Sequence, residues 1–191
     1  MRKIISLFRR NYDGDHFVFD EIVPGAEWVQ AGEGIATRKW DGTCCAIRGG
    51  QFFKRYDGKS GKTPPAGFEP TQEPDPVTGH WPGWLPVGSG PENRWHWEAI
   101  DNWKADIGGF PPDGTYELIG PKIQGNPEKL TRHSLVAHGT DVLLECPTGF
   151  GGLRLYLSKA DIEGIVWHHP DGRMVKIKGR DFGLKRCSGQ L

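Results

Sequence analysis

A lysine followed closely by an acid and a glycine is the sharpest chemical feature of the sequence. It lies in the run Lys39-Trp40-Asp41-Gly42-Thr43, where Lys39 ends a predicted strand and Gly42 allows a tight turn. A lysine amine is a nucleophile only when it is neutral, and its unperturbed pKa of about 10.4 keeps it mostly protonated near pH 7. An exposed lysine in a turn is the alternative interpretation of so short a pattern.

Two acids and a pair of lysines occur in later apolar strands. Glu117 interrupts one such strand, and Glu163 enters another. In Lys176-Ile177-Lys178, the two-residue period of a strand puts both lysines on one face. The ordinary explanations are a surface position for each acid and a solvated edge strand for the lysines. The ordered combination with Lys39 is nevertheless specific.

Short strands and tight turns must position these residues. The chain contains 28 glycines and 15 prolines, which excludes a helical bundle or coiled coil. Gly49-Gly50 and Asp171-Gly172 each predict a hairpin. The β-rich segments that we predict are 34–39, 44–48, 51–56, 115–119, 134–137, 153–157, 164–167 and 174–178.

Residues 64–112 differ in composition from the rest of the chain. They hold ten of the 15 prolines, a residue that central strands and helix interiors exclude, so we predict an insertion or long loop. Five tryptophans in the same segment indicate that it is ordered and folds over the core. Trp95, Ala99, Trp103 and Ile107 have roughly helical spacing, which predicts one amphipathic helix.

Size and charge set the broad class of protein. The 191 residues predict one domain spanning 1–191, and 24 basic against 24 acidic side chains predict no general affinity for nucleic acid or acidic membranes. Basic residues nevertheless cluster at 173–186 and acidic ones at 69–101. No apolar run approaches the roughly 18 residues of a membrane span, and the four cysteines form no Cys-x-x-Cys pair. We therefore expect a soluble cytoplasmic protein with reduced thiols and no membrane association.

The order of these motifs resembles the covalent nucleotidyltransferase superfamily, which includes ATP-dependent DNA and RNA ligases and mRNA capping enzymes. Several blocks are similar to the 5′-to-3′ RNA ligase family known from vertebrates, of which this chain would be a short single-domain relative. Those blocks are 39–45, 82–87, 117–120 with 125–127, 138–139 and 163–168. DNA ligases usually carry an arginine where this sequence has Cys44, which disfavours DNA joining.

The resemblance implies an α+β fold: an antiparallel-sheet nucleotidyltransferase (adenylation) domain with a nucleotide pocket between sheets and the Pro/Trp-rich segment 64–112 as an insertion. It implies an ATP-dependent RNA ligase whose catalytic residue is Lys39. Lys39 would attack the α-phosphate of ATP, the adenylyl group would pass to an RNA 5′-phosphate, and an RNA 3′-hydroxyl would then expel AMP. The expected partners are therefore ATP and RNA with 5′-phosphate and 3′-hydroxyl ends, without an obligate protein partner.

The resemblance also assigns roles to the other residues. Nucleotide binding would involve Lys39, Arg55, Glu117, Glu163, Lys176 and Lys178. Mg²⁺, for which Mn²⁺ can substitute, would be bound directly or through water by Glu163 as the stronger candidate and by Glu117, since carboxylates suit this hard cation. The alternative role of these two acids is contact with the ribose hydroxyls. The metal ion together with Lys176 and Lys178 would favour the neutral form of Lys39.

The same residues fit other interpretations. His138 either lines an adenine pocket or is structural. For the whole chain, the alternatives are another polynucleotide nucleotidyltransferase, namely a DNA ligase or a GTP-dependent capping enzyme, and a non-catalytic module that binds RNA ends.

Overall fold

The computed structural model describes residues 3–186, which form two compact units. We call Asp41–His138 the central unit; Lys3 also belongs to it. We call Ile4–Trp40 together with residues 139–186 the flanking unit. Cys187 lies outside the described residues.

Short strands and few helices make the described chain an α+β protein with mainly antiparallel sheets, as predicted. None of its helices has both the length and the apolar character that crossing a membrane requires. In chain order the strands and α-helices of residues 3–186 are β1 (Ile5–Ser6), β2 (Phe8–Arg10), β3 (Val18–Ile22), α1 (Glu27–Gln30), β4 (Ile35–Lys39), β5 (Thr43–Arg48), β6 (Gln51–Lys59), β7 (Glu69–Pro70), β8 (His80–Pro86), α2 (Arg94–Asp106), β9 (Gly114–Ile119), β10 (Ser134–Ala137), α3 (Phe150–Lys159), β11 (Gly164–His168) and β12 (Met174–Lys178).

The flanking unit is built on a four-stranded sheet in the order β1-β12-β11-β4. β1 is parallel to β12, and the other pairs are antiparallel. The hairpin predicted at Asp171-Gly172 is confirmed by the pairing of β11 with β12. One face of the sheet packs Ile165 and Ile177 into the core of the unit, where each buried aliphatic side chain contributes about 1.5–3 kcal/mol.

Helix α3 replaces a predicted strand. The prediction of a strand at 153–157 is wrong, because these residues lie within α3. Leu153 and Leu157 are buried, whereas Leu155 is 57% exposed. A strand would place all three leucines on one face, but only positions four apart share a helix face. Burial of Leu153 and Leu157 against the sheet therefore decides the helical conformation.

The central unit contains a six-stranded antiparallel sheet in the order β10-β9-β5-β6-β8-β7. The hairpin predicted at Gly49-Gly50 is confirmed by the pairing of β5 with β6. The predicted amphipathic helix is confirmed as α2, whose Ala99 and Ile100 are completely buried and pack in one core with Ile47. The inclusion of Ile107 in its apolar face is wrong, because Ile107 follows the last residue of α2 and is 66% exposed.

Residues 64–112 form more regular structure than their composition indicates. They supply β7, β8 and α2, so the expectation that proline excludes internal strands is wrong for this segment. Pro82 lies in β8, opposite Asp57 of β6, and its carbonyl accepts the N–H of Thr71, the residue after β7, at 3.0 Å. β7 is the outermost strand of the sheet and only two residues long, so the N–H that proline lacks concerns only this short edge. The description of this segment as an insertion stays a prediction.

Candidate functional site

Pairing of three strands in the flanking unit aligns two of the predicted lysines. Gly164 of β11 is paired with Lys39 at the end of β4 and with Lys178 at the end of β12. Residues opposite one another in a sheet point to the same face, so both lysines project from one side. A Cβ atom at Gly164 would lie 2.2 Å from the Ile177 carbonyl oxygen. Only glycine therefore permits β12 to approach so closely.

The carboxylate of Glu163 bridges the two lysines. The Lys39 ammonium donates to Oε2, and the Lys178 ammonium donates to Oε1 at 2.5 Å. The three side chains are only 20%, 12% and 13% exposed for Lys39, Glu163 and Lys178. Burial raises the pKa of Glu163, but the charges of Lys39 and Lys178 outweigh it and hold that pKa below its usual value. Glu163 is therefore ionised and is a weak base.

Lys176 adds a third ammonium group to this cluster. It lies two residues before Lys178 on β12, while Val175 and Ile177, on the opposite face of the strand, point into the core. Burial, followed by the charges of Lys178 and Lys39, lowers the pKa of Lys176 to about 8. Burial and then Lys39 also lower the pKa of Lys178. The cluster thus has excess positive charge.

Asp181 is a second carboxylate near these lysines: its charge raises the pKa of Lys176, against the larger lowering effects of burial and of the two other lysines. It is also held by two other donors. Arg10 donates to its Oδ1 at 2.5 Å, and the backbone N–H of Lys178 donates to its Oδ2 at 3.0 Å. The three lysines around Glu163 therefore form a partly buried cationic surface, which is suited to binding a polyanion such as a triphosphate.

Glu117 belongs to a separate cluster in the central unit. Its Oε2 atom lies 2.8 Å from Nε2 of His138, and Nδ1 of that imidazole lies 3.0 Å from the Thr115 hydroxyl. Cys44 is paired directly with Glu117 across β5 and β9. The potential ligand atoms of Cys44, Glu117 and His138 all lie within 4.8 Å of one another. No local sequence pattern groups Glu117 and His138 with Cys44, because strand pairing alone brings these residues together.

Gly42 is required for close packing beside this cluster. A Cβ atom there would lie 2.2 Å from the Leu118 carbonyl oxygen and 2.7 Å from Cγ2 of Ile119. Gly42 precedes β5, so its approach to β9 allows Cys44 to pair with Glu117 two residues later. The glycine of the Lys39 motif is thus needed for strand packing.

Arg55 lies on β6 of the same sheet, paired with Trp84 of β8. Its guanidinium carbon is 5.3 Å from the centre of the Trp84 ring. Burial lowers the pKa of Arg55, against the opposing effects of Cys44 and Asp57. The structure thus gathers Lys39, Glu163, Lys176 and Lys178 in the flanking unit, and it has Arg55 and Glu117 in the central unit.

Comparison with known proteins identifies what this chain is similar to. The sequence model of a family described as RNA ligase 1 matches residues 112–190. The RNA ligase 1 proteins of Rattus norvegicus and Mus musculus are each 28% identical to the chain, in alignments covering 78% of the chain and 67% of the relative. The chain resembles the RNA ligase 1 family. The resemblance predicted from the sequence is therefore confirmed.

A third relative extends this similarity to fish. RNA ligase 1 of Danio rerio is 30% identical over 56% of this chain and 42% of its own length. The region matched by the RNA ligase 1 family model includes Glu117, Glu163, Lys176 and Lys178, whereas Lys39 and Arg55 precede it. The roles of all six residues stay predictions.

Proposed function

We propose that the chain is an ATP-dependent RNA ligase that joins a 5′-phosphate to a 3′-hydroxyl through adenylylation of Lys39. The observation that carries the proposal is the carboxylate of Glu163 bridging Lys39 and Lys178 beside Lys176. It supplies a lysine fixed in position and an excess of positive charge around it. Similarity to proteins named RNA ligase 1 supports the choice of reaction and of RNA as the polynucleotide.

The reaction divides one difficult substitution into three displacements. In the first, the neutral amine of Lys39 forms a P–N bond to the α-phosphorus of ATP, and the bond to the bridging oxygen breaks to release pyrophosphate. In the second, an oxygen of the RNA 5′-phosphate attacks the adenylyl phosphorus, and the P–N bond breaks. In the third, the RNA 3′-hydroxyl attacks the activated 5′-phosphorus and AMP leaves.

Glu163 positions the nucleophile in this scheme. An ammonium group has no lone pair, so Lys39 must lose a proton before it attacks. Because the pKa of Glu163 is lowered by its two lysine partners, its carboxylate is a poor acceptor for that proton. We assign the proton to solvent or to a phosphate oxygen, and we assign to Glu163 the orientation of Lys39 and Lys178.

Lys176 and Lys178 would bind the phosphates and stabilise the charge that develops as pyrophosphate leaves. Their ammonium groups donate hydrogen bonds but accept none, and both are partly buried, which strengthens their attraction to an anion. Arg55 would contact the ribose or a substrate phosphate, a role that its fork of N–H donors suits.

The carboxylates differ in their suitability for Mg²⁺. Both oxygens of Glu163 are bonded to lysines, and the surrounding positive charge opposes a dication. Glu117 shares a hydrogen bond with the His138 imidazole instead of with two ammonium groups, so its carboxylate fits the ion better. Mg²⁺, or Mn²⁺ in its place, would supply positive charge that stabilises the phosphates in the transition state.

The proposal is tested by intact-protein mass spectrometry after incubation with ATP and Mg²⁺, and in parallel with GTP. We expect a gain of one adenylyl group that added pyrophosphate reverses. Lys39→Ala and the charge-preserving Lys39→Arg should both lack the adduct. Lys62→Ala, which changes an exposed lysine of the central unit, should retain it.

Each alternative has its own outcome in the same experiment. A GTP adduct would indicate a capping activity, and transfer of AMP to DNA ends in preference to RNA ends would indicate a DNA ligase. No adduct with either nucleotide, in folded protein that is not already adenylylated, would refute catalysis and favour an RNA-end-binding module. An adduct that survives in Lys39→Ala would refute the assignment of the nucleophile.

A further inference from the structure

Three side chains of types that bind metals lie on one face of the six-stranded sheet of the central unit. Cys44 and Glu117 are opposite one another on β5 and β9, so they point to the same side. His138 directly follows β10, and its backbone N–H donates to the carbonyl of Thr115 at 3.0 Å. Thr115 and Glu117 are two residues apart on β9 and therefore share a face, which brings the imidazole to Glu117.

The spacing of the three ligand atoms is close to that of a coordination site. They lie within 4.8 Å of one another. Tetrahedral coordination at the usual bond lengths of Zn²⁺ needs separations of roughly 3.4–3.6 Å between sulfur, nitrogen and oxygen ligands. Small side-chain rotations close that difference, and the strand pairing does not have to change.

The surroundings of the histidine resemble those of a metal ligand. Nδ1 of His138 is 3.0 Å from the Thr115 hydroxyl. That hydroxyl can accept a hydrogen bond from the N–H at Nδ1, which leaves Nε2 to bind a metal ion. At present Nε2 lies 2.8 Å from Glu117 Oε2, so a proton must lie between these two atoms. Metal binding at Nε2 requires the neutral tautomer with its hydrogen on Nδ1, which would donate to the Thr115 hydroxyl. The proton now between Nε2 and Glu117 would be released to solvent, or exchanged for one on Nδ1 by this change of tautomer.

The site is accessible from the surface of the sheet. The Glu117 side chain is 9% exposed and the His138 side chain 23% exposed, so an ion can enter from the imidazole side. Cys44 is half-buried, so its sulfur can be reached as well. Cysteine binds metals as the thiolate, so binding of the ion would release the thiol proton to solvent.

We propose that Cys44, Glu117 and His138 form a three-ligand site for a borderline transition-metal dication such as Zn²⁺, with a fourth coordination position open. A thiolate and an imidazole together select this class of ion, whereas Mg²⁺ prefers oxygen ligands alone. Binding of the ion does not depend on the proposed ligase activity. Under that proposed function, however, such an ion would compete with Mg²⁺ for Glu117 and inhibit adenylylation.

Titration with Co²⁺ tests the site directly, since the absorption spectrum of bound Co²⁺ depends on its ligands. The 191-residue protein, after treatment with a chelator, should bind one Co²⁺ and show a thiolate-to-cobalt charge-transfer band in the near ultraviolet. Added Zn²⁺ should displace Co²⁺ and abolish that band. We expect Cys44→Ser to remove the band. His138→Ala and Glu117→Gln should weaken Co²⁺ binding by at least about tenfold, and Thr115→Val by about 10- to 100-fold. Cys146→Ser, which changes a cysteine of the flanking unit, leaves the three ligands in place, and this variant should bind Co²⁺ as the unmodified protein does.

The outcomes separate this site from the proposed function. A charge-transfer band that persists in Cys44→Ser, or folded protein that binds no Co²⁺ at about 100 µM, would overturn the metal site. Neither result would bear on Lys39 adenylylation, which is measured with Mg²⁺ alone. Stoichiometric Co²⁺ binding in protein that forms no adenylyl adduct would support the site while refuting the ligase.

Discussion

Replacement of Glu163 by glutamine tests whether the lysine cluster depends on a single carboxylate. Glu163→Gln preserves shape but removes the negative charge between Lys39 and Lys178. Removing one partner of a buried ion pair typically costs about 3–5 kcal/mol, because the remaining charge is left without compensation. The three side chains retain 12–20% exposure, and glutamine can still accept one hydrogen bond. We therefore expect the free energy of unfolding to fall by about 3 kcal/mol.

Urea unfolding followed by circular dichroism measures this loss. With a denaturant slope of about 2 kcal/mol/M, the midpoint should shift down by roughly 1.5 M urea. The matched control is Glu21→Gln in the same unit, which breaks the Arg9–Glu21 pair at 3.0 Å, where both side chains are 50% exposed. Such an exposed pair contributes at most about 1 kcal/mol.

The pH dependence of the free energy of unfolding is an independent test of the role of Glu163. The pKa of Glu163 is lowered in the folded protein, so its ionisation stabilises the fold above the ordinary value of 4.5. That contribution is lost as the pH falls through the lowered pKa. The difference in free energy of unfolding between the unmodified protein and Glu163→Gln should therefore be constant from pH 7 to about 5 and become smaller below pH 4.5. Two results would refute this reasoning. One is a decrease in the free energy of unfolding no larger than that of Glu21→Gln, and the other is a decrease that stays the same below pH 4.5.

Three further predictions concern other parts of the two units. Lys178→Met should slow single-turnover adenylylation by about 100-fold, because it removes one donor to the phosphates; an unchanged rate would exclude Lys178 from the site. Gly164→Ala should lower the free energy of unfolding, measured in urea, by about 1–3 kcal/mol, since the added methyl would lie 2.2 Å from the Ile177 carbonyl oxygen. An unchanged free energy of unfolding would contradict that packing. Burial, followed by the charge of Lys54, lowers the pKa of His96 from 6.5 to about 4, so the unfolded state takes up its proton first as the pH falls. Urea unfolding should accordingly show a loss of about 2 kcal/mol between pH 7 and pH 5, which His96→Phe should abolish if His96 is responsible.

Local sequence patterns predicted much of the fold. The two hairpins followed from glycine-containing turns, and α2 followed from the helical spacing of its tryptophans. The shared face of Lys176 and Lys178 followed from strand alternation alone. The prediction of a strand at 153–157 is wrong because the spacing of its leucines fits both the two-residue period of a strand and the 3.6-residue period of a helix. Only packing on the sheet selects the helix.

Long-range register could not be predicted in the same way. Lys39 and Glu163 are 124 residues apart, and they meet because β4 and β12 both pair with β11. Cys44 meets Glu117 through the pairing of β5 with β9. No local pattern specifies which strands are neighbours, so the sequence indicated the ligand types but not their grouping. Resemblance to RNA ligases linked the lysines to the acids without giving their geometry.

The bridge made by Glu163 gives the lysine cluster an internal competitor for anions. A ligand that binds these ammonium groups must displace a carboxylate that is already held by hydrogen bonds to Lys39 and Lys178. Small monovalent anions offer too little charge to do so, whereas a triphosphate chain offers several negative oxygens at once. We therefore expect the cluster to ignore chloride and acetate at cellular concentrations and to discriminate steeply between nucleoside monophosphates and triphosphates. Selectivity for the energy-rich nucleotide would then arise from a charge that the protein carries itself.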